Sequence, residues 1–337
     1  MLHGNRVRSI SSEIKRAYLY AAFAVAAWST VATAFKLTLA TIDIYQTLFY
    51  ANLVSCLVLL FVLAIRQRLS TLADELVRYW QRSILTALMN PCLYYVILFS
   101  AYERLPAQIA QPINYSWSIV LVFLSAIVLG QKVTGRDWLA ALICYLGVFI
   151  IATHGRIDQF VGADWLGIGL ALASTVIWAG YWTASMRDRR ATDSALAACF
   201  LLALPMTGAL CFTLSNLTIS ITGFIGAAYI GLFEMSLAFL AWGTALRLTD
   251  RTARISNLIF LSPFVSLLLI HLILGETIHV TTGIGLVLIV VALYFQQRGS
   301  SSRVGRDRSH NVLGACALST LAIVVATGGP SSTNSVG

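Results

Sequence analysis

Glu234 is the residue of this chain whose placement most needs a chemical reason. The sequence holds 14 acidic residues. The others lie in termini, in gaps between apolar stretches or at the ends of such stretches. Glu234 lies midway along one, 221–246. An ionised carboxylate at the centre of a lipid-buried helix costs about 3 kcal/mol unless it is protonated, paired or wetted by a cavity. A carboxyl placed there takes up and releases a proton, meets a cationic group on a ligand, or stays protonated in a hydrogen bond to a neighbouring helix.

Other polar and aromatic side chains recur at helical spacing inside apolar stretches. They are Ser29, Ala32, Thr33 and Lys36; Asn90 and Tyr94, with Pro91 and Tyr95 on the adjacent face; and Gln108, Gln111, Asn114, Tyr115 and Ser118, beside Trp117. Ser174, Thr175, Trp178, Tyr181, Trp182 and Ser185 form a third stripe, and Ser256, Asn257, Phe260 and Pro263 a fourth. A face turned to lipid does not carry Asn and Gln, and Trp and Tyr of membrane helices concentrate at the interfaces rather than mid-span. The set predicts a cavity lined by aromatic rings. The candidate substrate contacts are Asn90, Tyr94, Asn114, Tyr115, Trp117, Trp178, Tyr181, Asn257 and Phe260, with Glu234 as the proton-coupling group. For any one of them the alternative is an interhelical hydrogen bond with no ligand. Lys36, near the end of its stretch, is expected to snorkel to the interface rather than pair with Glu234.

Catalytic patterns are absent: there is no H-E-x-x-H, G-x-S-x-G or Walker sequence. An intramembrane enzyme needs two reactive groups at one depth, and only Glu234 is deep. His271 and His279 flank a turn with Glu276 between them and read as interfacial residues rather than metal ligands. No cofactor is expected. Of six cysteines, five fall inside apolar stretches and none forms a C-x-x-C pair, so they read as small packing residues.

The elements that must hold these groups are ten apolar segments, near 17–38, 44–65, 83–102, 106–129, 137–153, 164–186, 193–214, 221–246, 254–274 and 280–296. The chain is 58% hydrophobic and 11% charged, against about 25% charged in soluble domains. Each segment is long enough, as a helix, to approach or cross a hydrocarbon core of about 30 Å. The runs are continuous, without the alternation of a membrane barrel. Assigning the gaps alternately to two sides puts every Lys and Arg of the 23 on one side except Lys36, Arg104 and Arg156. That is the charge bias of cytoplasmic loops, and it accounts for the net charge of +9 by facing anionic lipid. No basic stripe carries the interleaved aromatics of a nucleic-acid site, so no nucleic-acid partner is expected. The first segment is too long for a signal-peptide core and reads as an uncleaved span. Leu69, Leu72, Leu76 and Tyr79 predict a short helix in the headgroup plane.

Ten segments divide into five and five, and an odd number per half turns the second half upside down relative to the first. Leu129-Gly130 and Leu274-Gly275 then occupy equivalent places, as do Val120 and Val265, Leu124 and Leu269. Gln131-Lys132 follows the first Leu-Gly and Glu276-Thr277 the second, so the basic residue occurs only in the copy facing the cytoplasm. Inverted repeats are a common architecture of secondary transporters. Pro112 and Pro263 break the hydrogen-bond ladder at similar places in the two halves, as hinges or static kinks. The expected fold is an all-α polytopic membrane protein. Its ten transmembrane helices form two inverted five-helix repeats, 17–153 and 164–298, around a central cavity. The 299–337 tail, with its short apolar run 312–327, is either a further span or a loosely associated tail. The expected partners are a small-molecule substrate and the lipid bilayer, with a monomer as the default.

Several short motifs carry a resemblance to the drug/metabolite transporter superfamily, EamA-type, over about 17–298. They are Trp28-Ser29-Thr30 with Lys36; Tyr102-Glu103-Arg104-Leu105-Pro106-Ala107; the two Leu-Gly turns; and Gly231-Leu232-Phe233-Glu234-Met235 followed by Trp242. Ile113-Asn114-Tyr115-Ser116-Trp117 with Gly130-Gln131-Lys132, and Ile177-Trp178-Ala179-Gly180-Tyr181, are similar to the aromatic amino-acid exporter branch. That branch usually has proline where Ser118 stands, and Glu234 resembles other EamA branches. The resemblance implies ten spans with both ends of the pair of repeats cytoplasmic, in the cell (inner) membrane. It also implies efflux of amino acids or related metabolites by alternating access. A multidrug or other metabolite permease and a passive channel remain the alternatives.

Overall fold

The computed structural model describes residues 2–129, 133–155, 163–185, 187–217, 220–248 and 257–304; within these the side chains of 2–12, 125, 129, 246, 247, 257 and 297–304 are left aside. Gly130-Gln131-Lys132, Arg156, Ser256, Arg251, Arg254 and the 312–327 tail therefore lie outside the described residues, as does the side chain of Asn257.

The described residues are helical, with no strand among them. The helices are α1 Leu2–Leu39, α2 Ile44–Ile65, α3 Leu69–Arg78, α4 Trp80–Ala87, α5 Tyr94–Arg104, α6 Ala107–Tyr115, α7 Trp117–Leu129, α8 Gly135–Ala152, α9 Trp165–Ser185, α10 Thr192–Leu214, α11 Ile221–Tyr229, α12 Ala238–Arg247, α13 Ser262–Leu274 and α14 Val280–Val304. In lipid the backbone has no water to bond, so long apolar runs close their hydrogen bonds internally as helix. Among the described residues, eight helical stretches are long and apolar enough to cross a membrane: Glu13–Leu39, Ile44–Ile65, Trp80–Arg104, Ala107–Val128, Gly135–Ala152, Trp165–Ser185, Thr192–Leu214 and Ile221–Ala245. The last two predicted segments are the shorter apolar helices Leu258–Leu274 and Val280–Gln296. Asp43 starts α2 by accepting hydrogen bonds from the Tyr45 and Gln46 amides at 2.9 Å each, as an N-cap should. Helix α3 forms where the Leu69–Tyr79 spacing predicts one, with Leu72 buried.

Four stretches are not regular α-helix. π turns occupy Leu88–Leu93, between α4 and α5, and Ile230–Leu237, between α11 and α12. Ser116 interrupts α6 and α7, and a 3-10 turn, Asn257–Leu261, precedes α13. The two prolines act differently from the expectation. Pro112 sits inside α6 without ending it, and the break comes one turn later at Ser116. Pro263 stands in the first turn of α13, where an amide donor is not needed, so it starts a helix rather than kinking one.

Helix α1 packs against α12 and α13, while α9 packs against α5 and α7; α2 pairs with α10, and α8 with α14. The α8–α14 crossing depends on Gly147 and Gly285: a Cβ on either would lie 2.6 Å from the carbonyl oxygen of the other. Small residues let backbones approach in this way where lipid supplies no hydrophobic drive. Asn52 and Thr207, both buried, bond across α2 and α10 at 3.1 Å.

Ion pairs tie loops at both ends of the bundle. At the end rich in Arg, Asp193 meets Arg66 at 2.7 Å and Arg68 at 2.9 Å. Arg190 meets Asp188 at 2.7 Å with both side chains buried, and it also donates to Ser83 Oγ at 2.7 Å. At the opposite end Arg104 meets Asp164 at 3.0 Å. His279 packs edge-on against His154, ring centres 4.6 Å apart. The five described cysteines are free and buried.

Candidate functional site

A cavity of about 110 Å³ lies among α1, α5, α6, α7, α9 and α12. Its wall brings together six of the predicted residues: Tyr94, Asn114, Tyr115, Trp117, Trp178 and Glu234. The rings are packed on one another. Tyr94 stacks on Trp178 at 4.4 Å, and Trp117 meets Trp178 edge-on at 6.4 Å. Offset and edge-on contacts of this kind contribute about 1 kcal/mol each beyond burial, so the wall is held in one arrangement.

Glu234 is 8% exposed. Its Oε1 accepts a hydrogen bond from the Tyr95 hydroxyl at 3.2 Å, and its Oε2 has no partner. The π turn that carries it lies hard against α2: a Cβ on Gly231 would run into the Ala51 backbone. Ser236 Oγ donates to the Gly231 carbonyl at 2.7 Å, supporting the widened turn. π turns occur mostly as local insertions, often at functional sites. The polar groups on the opposite wall are paired differently. Asn114 donates to Ser174 Oγ at 2.9 Å and accepts from the Tyr94 hydroxyl at 3.4 Å. Tyr115 donates to Ser262 Oγ at 2.9 Å. Gln111 Oε1 and the indole nitrogens of Trp182 and Trp242 are buried without partners. Buried polar atoms left unpaired are costly, so these atoms, with Glu234 Oε2, are where a bound molecule gains most.

The remaining predicted residues do not reach this wall. Asn90 is buried in the first π turn with φ −142° and ψ 120°, its carbonyl accepting from Cys199 Sγ at 2.9 Å. Tyr181 lines a smaller pocket of about 40 Å³ towards the Arg-rich end, with Ser185 and Asp188. Phe260 packs edge-on against Tyr294 at 6.5 Å. Asn257 cannot be placed, its side chain being outside the described residues.

Lys36 does not pair with Glu234; its Nζ donates to the carbonyls of Tyr102 at 2.7 Å and Leu105 at 3.1 Å. These are free carbonyls at the C-terminus of α5, where a cation is favoured by both hydrogen bonding and the helix dipole. The candidate contacts did not include Tyr95 and Trp182, although both stand in the predicted stripes, nor Trp28, Phe239 and Trp242. Tyr95 holds Glu234, and the other four line the cavity. Trp182 follows Trp178 by one helical turn and was legible on that ground. Phe239 and Trp242 lie beyond the π turn, where helical spacing counted from Glu234 no longer gives the face. Trp182 and Phe239 line both the cavity and the smaller pocket. Their rings stack at 6.1 Å and form the partition between the two spaces.

At the end opposite the Arg-rich one, the Glu276 carboxylate accepts from the Ala107 amide at 2.9 Å and the Gln108 amide at 3.1 Å. Gln108 Nε2 donates to the Thr277 carbonyl at 2.9 Å. The loop before α14 thus caps the start of α6, using the free amides of a helix N-terminus.

The sequence model of the EamA-like transporter family matches residues 15–153 and 165–296. An uncharacterized transporter of Clostridium kluyveri is 25% identical over 178 residues, 49% of this chain and 55% of its own length. The aromatic amino acid exporter YddG of Ancylobacter novellus is 26% identical over 184 residues, 52% of this chain and 62% of its own. The matches therefore span little more than half of these relatives. A solved crystal structure aligns with 87% of this chain and 99% of its own at a TM-score of 0.60 and 20% identity, a likeness of fold alone.

Proposed function

The chain belongs to the EamA-like transporter family, and from that premise we propose that it is a secondary active transporter exporting small amphipathic metabolites, aromatic amino acids among them, by alternating access. It is an integral multi-pass membrane protein of that family. The observation that carries the reading is the Glu234 carboxyl, buried mid-helix with one oxygen unpartnered on an aromatic wall. A carboxyl in that position can hold a proton or give it up in step with cargo. The name of the Ancylobacter relative supports aromatic cargo. Tyr94, Tyr115, Trp117 and Trp178 offer faces to an apolar side chain or an ammonium group. Asn114 offers directional hydrogen bonds, and Tyr181, which lines the smaller pocket beside the cavity, serves the path towards it.

The proposed frame is two five-helix repeats, 17–153 and 164–298, inserted in opposite senses in the cell (inner) membrane, with the N-terminus and the residue 298 end cytoplasmic. Helix pairing supports it. Contacts of α1 with α12 and α13 correspond to those of α9 with α5 and α7, while α2–α10 and α8–α14 each join equivalent helices. Irregular turns recur in step: π turns in the third and eighth segments, and interruptions in the fourth and ninth. Discontinuous helices at a repeat interface suit a midplane binding site.

The test is transport in proteoliposomes. Flux should saturate and show counterflow, and Glu234→Gln should fold yet transport with a flat pH profile. Unsaturable flux without counterflow would establish a channel and refute the reading. An unchanged pH profile in the variant would refute the role of Glu234.

A further inference from the structure

The charges around the cavity are one-sided. Glu234 is its carboxyl, and among the described residues that line it there is no Lys, Arg or His. The nearby cation, Lys36, is committed to two backbone carbonyls at the end of α5. Two wall acceptors stand free, Glu234 Oε2 and Gln111 Oε1. The free indole donors, Trp182 and Trp242, are uncharged. Around them stand the rings of Trp28, Trp117, Trp178 and Tyr115, and Tyr94 lies flat on Trp178.

A cation gains from such a wall twice. Ring faces attract it, more strongly when it is desolvated, and the buried carboxylate neutralises it. A carboxylate loses twice. It sheds its water with no cation to replace it, and it sits beside Glu234. From this asymmetry we infer that, within that cargo class, the preferred cargo is an organic cation bearing an aromatic or alkyl group, such as an aromatic amine or an amino-acid amide, and that zwitterionic amino acids bind less tightly than such cations. The inference rests on the export reading above and narrows its cargo. The ammonium group sits at Glu234 Oε2 and the apolar group against the Trp178 wall.

Calorimetric titration of the full chain in lipid nanodiscs tests it, using four probes with one indole side chain. Tryptamine and tryptophan amide are cations, tryptophan is a zwitterion and tryptophol is neutral. The two cations should bind at least tenfold more tightly than tryptophan. Glu234→Gln should weaken tryptamine at least tenfold while leaving tryptophol within about threefold, which also shows that the variant is folded. If tryptophan binds as tightly as tryptamine, or if the variant keeps full tryptamine affinity, the inference is overturned and the export reading stands. If none of the four binds, the inference is overturned, and the export reading is decided separately by the counterflow assay. If Glu234→Gln loses tryptophol as well, the milder variant Glu234→Asp decides: its tryptamine-to-tryptophol ratio should fall, and an unchanged ratio overturns the inference.

Discussion

Replacing Glu276 with alanine removes the cap that the α13–α14 loop places on α6. Two amide-to-carboxylate hydrogen bonds, at 2.9 and 3.1 Å, are lost. Hydrogen bonds to charged groups contribute about 1.5–3 kcal/mol each. Glu276 is only half-buried, so water repays part of the loss, and a helix cap typically contributes about 1 kcal/mol. The pair together should be worth about 2 kcal/mol. In the proposed alternating-access cycle, opening the cavity at this end would pull α6 away from the loop, so that energy would favour the closed form. At about 1.4 kcal/mol per tenfold, the variant should populate the open form about 30-fold more. The assay places a cysteine at Leu98, on the cavity wall, in a cysteine-free background. Its labelling by a membrane-impermeant thiol reagent is then timed from the side proposed as outer. Gln108 and Lys36 keep their own contacts, so closure weakens without vanishing. Glu276→Gln keeps one acceptor but turns an amide donor towards the other N–H, and should fall between the two. A labelling rate for Glu276→Ala within about threefold of the parent would show that this contact does not hold the gate.

Trp117→Ala should weaken substrate binding about tenfold while lowering expression less, since Trp117 is a half-buried wall residue; equal losses in both would make it a packing residue. Trp182→Ala removes the partition it forms with Phe239 and should join the two pockets, giving faster labelling of the Leu98 cysteine from the Arg-rich side. Gly231→Ala puts a methyl into the Ala51 backbone and should cost about 1–3 kcal/mol, read as a lower unfolding midpoint. Asp188→Asn should cost about 3 kcal/mol at neutral pH, as breaking a buried pair does. Burial pushes the Asp188 carboxyl up, but its hydrogen bonds and charge contact with Arg190 outweigh that and hold it below its ordinary 3.8. A carboxyl depressed in the fold adds stability above its ordinary range and loses it as pH falls through the folded value. The gap between parent and variant should therefore be full near neutrality and close only in acid below 3.8. A gap that is constant through that acid range would refute the assignment.

The apolar segments were legible because the penalty for polar groups in hydrocarbon acts on each residue by itself. Ile44–Ile65 was found to the residue, and Glu234 stood out before any neighbour was known. The cavity wall was only half legible. Asn90 and Tyr94 are four residues apart and would share a face of a regular helix, yet only Tyr94 reaches the cavity. The π turn between them resets the phase, and a periodicity argument cannot be carried through it. The same reset at Ile230–Leu237 brings Phe239 and Trp242 onto the wall.

By itself the sequence determined that this protein lives in lipid, that its charges fall between the apolar runs, and that one acid is buried midway. Each of these depends on residue type and run length alone. The tertiary structure decided which rings surround that acid, that Tyr95 meets it, and that Lys36 closes a helix end. Those outcomes depend on pairs of groups far apart in the chain, whose meeting is set by helix phase and by how closely two backbones approach.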